Sequence, residues 1–500
     1  MNITIISPHI NIKNIGVRII VAVLKKEGHK VKLIFVPNDL YGEKIDEQCL
    51  VTSGKNINKY SQITLELIMG LVKKSDLICI SLNTNFFDNA VEISKKIKKD
   101  LAIPIVWGGP HATIKPKECL EYADFVCRGE GEGVIVELVE KLEKKSNYNK
   151  VKNLCFKDEK GNFIINPLRP FIQDLDVIPF QDYSLDNQYI ILNEKVYNIN
   201  KLYSKYFFSN QFSNNIYPTY VTRGCLKGCS YCYNEILNKL YFGQNIFRKR
   251  SVNNVIDELL RIKKILPFIE NVHIIDDNFL TLNEEYIENF SKEYKKYINL
   301  PFVIYGFHPS VVSRKKLEYL TNAGLSGIRM GIQSASERTK KIYKRYYSNS
   351  QVEESCKIIN EFKGHIKTIH YDIILYNPWE TESDLIETLK FLTKIPLPYI
   401  LVLYSLTFYP GTGLYERAKR EDIIKDRSEE VYGGYYLGIK PTYINKLFYL
   451  LSDYVISGKR INLITILILT NKFFRKIGLS FLIYRFFRMK VKRQIELNKI

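Results

Sequence analysis

Short apolar runs alternate with amphipathic stretches of helical period twice along this 500-residue chain, and that rhythm restricts the fold more than any other feature. In the first series ITIIS (3–7) precedes the helical VRIIVAVLKKEG, which Gly28 ends, and KVKLIFVP follows as a second strand. LICISL (77–82), a helix around 90–98, PIVWGG (104–109) and DFVCRGEGEG continue it. Strand–helix–strand repeats of this length predict a parallel, doubly wound α/β sheet, flavodoxin-like in type. Ligands of such sheets sit beyond the strand C-termini, where Asn14, Gly16, Ser81, Asn83, Gly108, Gly109, Gly129 and Glu130 stand. A second series begins at Tyr217: TYVTRGC, NVHIIDD (271–277), PFVIYGF (301–307), GIRMGIQS (327–334), HYDIILY (370–376) and ILVLYSLTFYP (400–410). Six repeats, too few for a closed eight-fold barrel, predict a partial (β/α)6 barrel with its active site at the strand C-termini. The expected division is 1–148 for the first domain, 149–215 for a connector holding a small hairpin and an extended strap, 216–422 for the barrel, and 423–500 for a helical region.

With 46% apolar and 25% charged residues, neither a disordered chain nor a polytopic membrane protein is expected. The longest uncharged apolar stretch, 461–471, is far below the ~20 residues needed to span a bilayer. The nine cysteines are odd in number and mostly isolated, and the N-terminus lacks a signal-peptide pattern, so a reducing, cytoplasmic setting is expected. Cys49, Cys79, Cys119, Cys127, Cys155 and Cys356 read as small apolar residues. Cys225, Cys229 and Cys232 differ: they form CxxxCxxC directly after the first strand of the second series, with Gly224 and Gly228 to allow tight turns. Three thiolates so spaced suit three corners of a cubane iron–sulfur cluster. The alternative, a structural zinc, normally needs a fourth ligand, and no further Cys or paired His lies nearby.

This motif, with Tyr231 before its last cysteine, resembles that of the radical S-adenosylmethionine (radical SAM) superfamily. The resemblance implies a 4Fe-4S cluster on Cys225, Cys229 and Cys232 whose free iron chelates S-adenosylmethionine and cleaves it to a deoxyadenosyl radical. Tyr231, Asp276, Asp277, Asn278, Gln333 and Ser334 are the implied S-adenosylmethionine contacts. The acids after the second strand read equally well as a helix cap. Gln333 and Ala335 depart from the usual Gly-x-Glu-Ser-Gly. In the segment 376–381, where relatives carry Gly-Leu-Pro-Gly-Glu-Thr, Trp379 replaces the second glycine, so a left-handed backbone would be strained there. Tyr409 to Tyr415 matches the turn after the family's sixth strand, or an ordinary strand-to-helix turn.

The N-terminal series resembles the cobalamin-binding domain of many radical SAM enzymes, through IGVRIIVAVLKKEGHKV, PIVWGGPHAT and ADFVCRGEGE, with FIQDLDVIPFQDY of the connector. The eight strand-end residues from Asn14 to Glu130 are the implied cobalamin contacts. The Asp-x-His-x-x-Gly motif that ligates cobalt is missing, and His9 and His111 read as loop or capping residues. The family implies a class B-like methyltransferase acting on an unactivated carbon; a cyclase, coupling or rearrangement enzyme and a non-catalytic iron–sulfur protein are the alternatives. A small-molecule or lipid-like substrate and an electron donor such as flavodoxin or ferredoxin are implied.

The formal charge of +20 is uneven: Tyr435 to Ile500 hold 13 Lys and Arg against Asp453 and Glu496. Phe474, Ile477, Phe481 and Tyr484 are placed on one helical face, flanked by Arg475, Lys476, Arg485 and Arg488. Peripheral membrane contact through 440–500 and packing over the barrel are the two readings. Nucleic acid is not expected, since no recognised binding module accompanies the basic residues.

Overall fold

A computed structural model describes residues 1–9, 12–37, 59–201, 215–425, 429–432 and 442–497. Cys49 lies outside them. The chain forms two compact units: 1–218 with 231–270 and 407–435, and 219–230 with 271–406 and 436–500.

The first unit is built on nine strands. β1 (Asn2–Ser7), β2 (Lys30–Phe35), β3 (Leu77–Ser81), β4 (Ile105–Gly108) and β5 (Phe125–Cys127) are parallel and lie in the order β5-β4-β3-β1-β2. That is the doubly wound, flavodoxin-like order, with its switch point between β1 and β3. Buried on both faces, these strands read as apolar runs, as in β1, where every residue after Asn2 is buried. The helix Ile15–Lys26 starts on the Asn14 side chain, which accepts from Val17 N at 3.3 Å, and Gly28 leaves it at φ 84°.

The segment expected as a connector is woven into this sheet. β6 (Leu154–Lys157) and β7 (Phe163–Ile165) extend it antiparallel beyond β5; β8 (Gln188–Leu192) pairs parallel with β2, and β9 (Lys195–Asn198) closes that side antiparallel. Arg18, fully buried on the first helix, donates to Ile12 O (2.8 Å), Asp182 O (2.7 Å) and Gln188 Oε1 (3.0 Å), and its guanidinium lies 4.0 Å from the Tyr183 ring centre. A buried cation with oxygen partners on two loops and a strand ties the proline-punctuated strap down.

The second series gives a six-stranded sheet, β10 (Ile216–Thr219), β13 (Asn271–Ile275), β14 (Phe302–Phe307), β15 (Leu325–Gln333), β16 (Thr368–Leu375) and β17 (Ile400–Ser405), in that spatial order. The pairs from β13 to β17 are parallel, as a partial barrel requires. Two further short strands are β11 (Thr222–Arg223) and β12 (Arg248–Lys249). Within the second unit one face of this sheet is closed: Ile274, Ile304, Ile328, Met330 and Ile369 are at most 3% exposed. On the other face His273, Tyr305, Arg329, His370, Asp372 and Tyr404 are only half-buried.

From 442 on, the described residues form four helices rather than one long face: Tyr443–Ile456, Leu463–Thr470, Lys472–Lys476 and Leu479–Leu497, interrupted at Gly458 and Gly478, both left-handed. No described helix is long and apolar enough to cross a membrane.

Candidate functional site

The cysteine loop leaves the first barrel strand through Gly224 at φ 87° and turns again at Gly228 at φ 23°, the two positions where the sequence called for glycine. Cys225 is half-buried and Cys229 buried. Burial pushes the Cys225 thiol up, the Lys227 backbone N–H works against that rise, and the nearby Asp277 carboxylate adds to it. Ser230 pins the loop, its backbone N–H donating to Tyr343 O (3.1 Å) and its hydroxyl to Ile342 O (2.7 Å). Cys232, half-buried, opens the helix Tyr233–Leu240, and the Asn234 side-chain N–H₂ points to its sulfur at 3.9 Å. Tyr231 beside it is half-buried.

One residue against this loop was not singled out in the sequence. Arg345, buried and 116 positions beyond Cys229, has its Nη1 3.6 Å from that sulfur; its Nε donates to Tyr347 Oη at 3.1 Å, and its other amino group to Gly331 O. A fixed cation beside a sulfur that carries negative charge when it ligates iron is favourable electrostatics. No local signal marks it, because KRYYSN resembles any basic loop until the barrel brings it round.

The expected S-adenosylmethionine residues divide. Asp276 is wholly engaged in holding the first strand's end: its carboxylate accepts from Val221 N (2.8 Å), Thr222 N (3.0 Å) and Thr222 Oγ1 (2.9 Å). Burial nevertheless pushes it up to about 7, against those three donors. Asp277 is exposed, and Asn278 is buried with its Oδ1 accepting from His308 N at 3.4 Å. Ser334 is buried as well; its hydroxyl pairs with Thr388 Oγ1 (3.2 Å) and accepts from Ser336 N (3.2 Å), so it builds the turn from within. Gln333 stands apart. It sits at φ 68° on a bulge at the end of β15, and its buried Oε1 has no hydrogen-bond partner within the protein. A left-handed non-glycine residue presenting an orphaned acceptor at a strand C-terminus is a place for a donor-bearing ligand. Three soft thiols and this acceptor fit a 4Fe-4S cluster and S-adenosylmethionine.

Farther along, the left-handed residue is Tyr376 (φ 59°), at the family's first glycine, so the strain anticipated at Trp379 does not arise. Gly411 is left-handed (φ 80°) and Thr412 caps the helix Gly413–Arg420, so Tyr409 to Tyr415 does form a strand-to-helix turn.

In the first unit the strand ends carry small groups. Ser81 and Gly108 are half-buried, Gly16 and Asn83 exposed, and the Ser7 hydroxyl at the end of β1 is buried without a partner. At Gly109 (φ 101°) a Cβ would lie 2.6 Å from Leu82 O, so no side chain fits between those loops. Small residues and an orphaned hydroxyl along these strand ends fit the edge of a large cofactor such as cobalamin. Gly129 and Glu130 are closely packed within the unit. A Cβ on Gly129 would lie 1.9 Å from Tyr241 Oη, and Glu130 pairs with Arg248 Nη1 (2.7 Å) and accepts from Ile172 N (2.9 Å). Asn14 is the helix cap already described. His9 packs edge-on against Phe86, burial lowering it to about 4, and His111 is fully buried with Nδ1 3.1 Å from Thr84 Oγ1. Among the described residues, no three His, Cys, Asp or Glu side chains are set to hold a single metal ion.

Comparison with known proteins agrees with both halves. Residues 219–392 match the model of the radical SAM superfamily, and residues 1–139 that of the B12 binding domain. The chain carries a B12-binding domain followed by a radical SAM domain. An uncharacterized methyltransferase of Pyrococcus horikoshii is 27% identical to this chain over 373 residues, 72% of the chain and 74% of the relative. Among solved structures, the radical S-adenosylmethionine methyltransferase TsrM of Kitasatospora setae, with cobalamin and a [4Fe-4S] cluster bound, has a TM-score of 0.61 at 17% identity, covering 84% of this chain and 78% of that one. The cobalamin-dependent S-adenosylmethionine radical enzyme OxsB, with aqua-cobalamin and S-adenosylmethionine bound, has a TM-score of 0.66 at 16% identity, covering 100% and 72%. At these identities the two structures show a shared fold.

Proposed function

We propose that this chain is a radical SAM enzyme that methylates an unactivated carbon of a small molecule with the help of cobalamin. The observation that carries the reading is the cysteine loop on its glycine turns, at the end of a barrel strand, in a chain whose other half is a B12-binding domain. When bound, the cluster supplies the electron that cleaves S-adenosylmethionine, and cobalamin supplies the methyl group. The protein's own work is positioning. Cys225, Cys229 and Cys232 hold the cluster, Arg345 sets a positive charge beside Cys229, and Gln333 offers an acceptor for a ligand donor. Asp276 contributes from one step back by fixing residues 221–222 ahead of the cysteine loop.

The half-buried face of the barrel sheet is where we place the substrate. Arg329 donates through Nε to Asp372 Oδ1 at 2.8 Å, between the Tyr305 and Tyr404 rings. Burial pushes Asp372 up to about 6, with Arg329 pulling the other way, and burial lowers His370 to about 4. Such a face offers hydrogen bonds and aromatic walls to a polar organic molecule. A flavodoxin- or ferredoxin-type protein would donate the electron.

The test is anaerobic. Protein reconstituted with iron and sulfide, then given dithionite and S-adenosylmethionine, is expected to release 5′-deoxyadenosine, measured by mass spectrometry, whereas Cys229→Ala should lose both the brown absorbance and the product. A fully loaded wild-type protein that leaves S-adenosylmethionine intact would rule out the enzyme. Cobalamin that co-purifies, together with S-adenosylhomocysteine formed on turnover, separates methyl transfer from cyclisation or rearrangement.

A further inference from the structure

Tyr443–Ile456 and Leu463–Thr470 bury apolar side chains such as Leu447, Phe448, Ile466 and Leu469, but the last helix presents large apolar side chains outward. Leu479–Leu497 turns small or hydroxyl-bearing residues inward: Ser480 is fully buried, its hydroxyl donating to Ile468 O (2.9 Å), and Tyr484 is 8% exposed. Tyr443 holds the preceding helix from the same inner side, donating to Leu469 O at 3.0 Å. The outward side carries large apolar residues. Ile464, Phe473, Ile477, Leu482, Phe486 and Met489 are 57–67% exposed, on three successive helices and the end of the second, within 26 residues. The expected face of Phe474, Ile477, Phe481 and Tyr484 is therefore split, with Ile477 and Phe481 outward and Tyr484 inward. Scattered surface hydrophobes need no explanation, but a run of large ones on adjoining helices marks an interaction surface.

Charge identifies the occupant. Lys472, Lys476, Arg485 and Arg488 are exposed among these side chains, and no acid occurs between Asp453 and Glu496. Of the cations there, Arg475 is turned to the barrel and pairs with Glu382, and Arg488 lies close enough to Asp453 to lower that half-buried carboxyl's raised value. A second copy docked by a two-fold axis would set this cationic patch against itself. A layer of lipid phosphates would neutralise it while the apolar side chains enter the acyl boundary. We propose that the surface formed by Leu463–Thr470, Lys472–Lys476 and Leu479–Leu497 docks this protein on an anionic lipid bilayer, lying in its interface.

Sedimentation of the full-length protein with vesicles of phosphatidylcholine, with and without 30% phosphatidylglycerol, tests this. Binding is expected to the anionic vesicles alone at low salt and to weaken as salt rises. At roughly five-fold per exposed cation, Lys472→Ala with Lys476→Ala should weaken it about 25-fold. Leu482→Glu with Phe486→Glu should abolish it while circular dichroism and iron content stay as in wild type. Equal binding of this last variant, or no binding of the wild type, would overturn the proposal. So would a concentration-dependent dimer in sedimentation velocity that the same double variant dissociates, since the patch would then be a contact between copies.

Discussion

Glu380 shows how one side chain can be placed for packing and still set a pH limit. It is half-buried beside Thr339, whose hydroxyl donates to it at 3.2 Å, and burial pushes its carboxyl up to about 8. The native state therefore binds a proton that the unfolded chain releases near pH 4.5, and stability falls as pH rises through 8. Thermal unfolding should show wild type losing stability between pH 6 and 9, with Glu380→Gln losing less. Among single residues, the two glycines were legible as left-handed turns, and the three thiols stood out by their spacing alone. Carboxylates and hydroxyls were not legible, because Asp276, Ser334 and Glu130 look the same whether they face a ligand or a backbone N–H. Only the folded chain shows that Asp276 is spent on residues 221–222 and Glu130 on Arg248 and Ile172.

Helix starts, by contrast, carry local rules. Thr381 caps the helix Glu382–Leu392 in a capping box with Asp384, whose carboxylate also accepts from Ser336 Oγ (2.6 Å) and Arg338 Nη1 (2.7 Å). Burial works against its charge, yet the hydroxyls of Ser336 and Thr381, the Thr381 N–H and Arg338 together hold it down to about 2. The stability it contributes is present above about pH 4 and is lost as pH falls through 2. Asp384→Ala should cost about 1–2 kcal/mol at neutral pH, measured by urea unfolding, and should flatten the acid limb. The strand–helix alternation was readable for the same reason, since its period is local. What could not be read was pairing. The strands of 154–198 are short and half-polar, and nothing within them says that they join the two edges of a sheet begun 150 residues earlier. The turn at 376–381 misled for a related reason: Tyr376 takes the left-handed conformation, at a cost of about 1 kcal/mol, so Trp379 does not have to.

For the molecule as a whole, the first sheet finishes with antiparallel hairpins on both sides, β6–β7 and β8–β9. Parallel strands left with open edges pair with whatever edge they meet. The match to the B12 binding domain ends at residue 139, but a polypeptide stopped near 148 would bare both β5 and β2 and remove the acceptors that Arg18 has on Asp182 and Gln188. Residues 1–148 expressed alone should aggregate, read by light scattering, whereas 1–201 should stay dispersed to a higher concentration. The unit recognised by resemblance is thus smaller than the unit that can be moved. Any exchange of cofactor domains between relatives, by evolution or at the bench, would have to be spliced beyond the second hairpin, not where the family pattern stops.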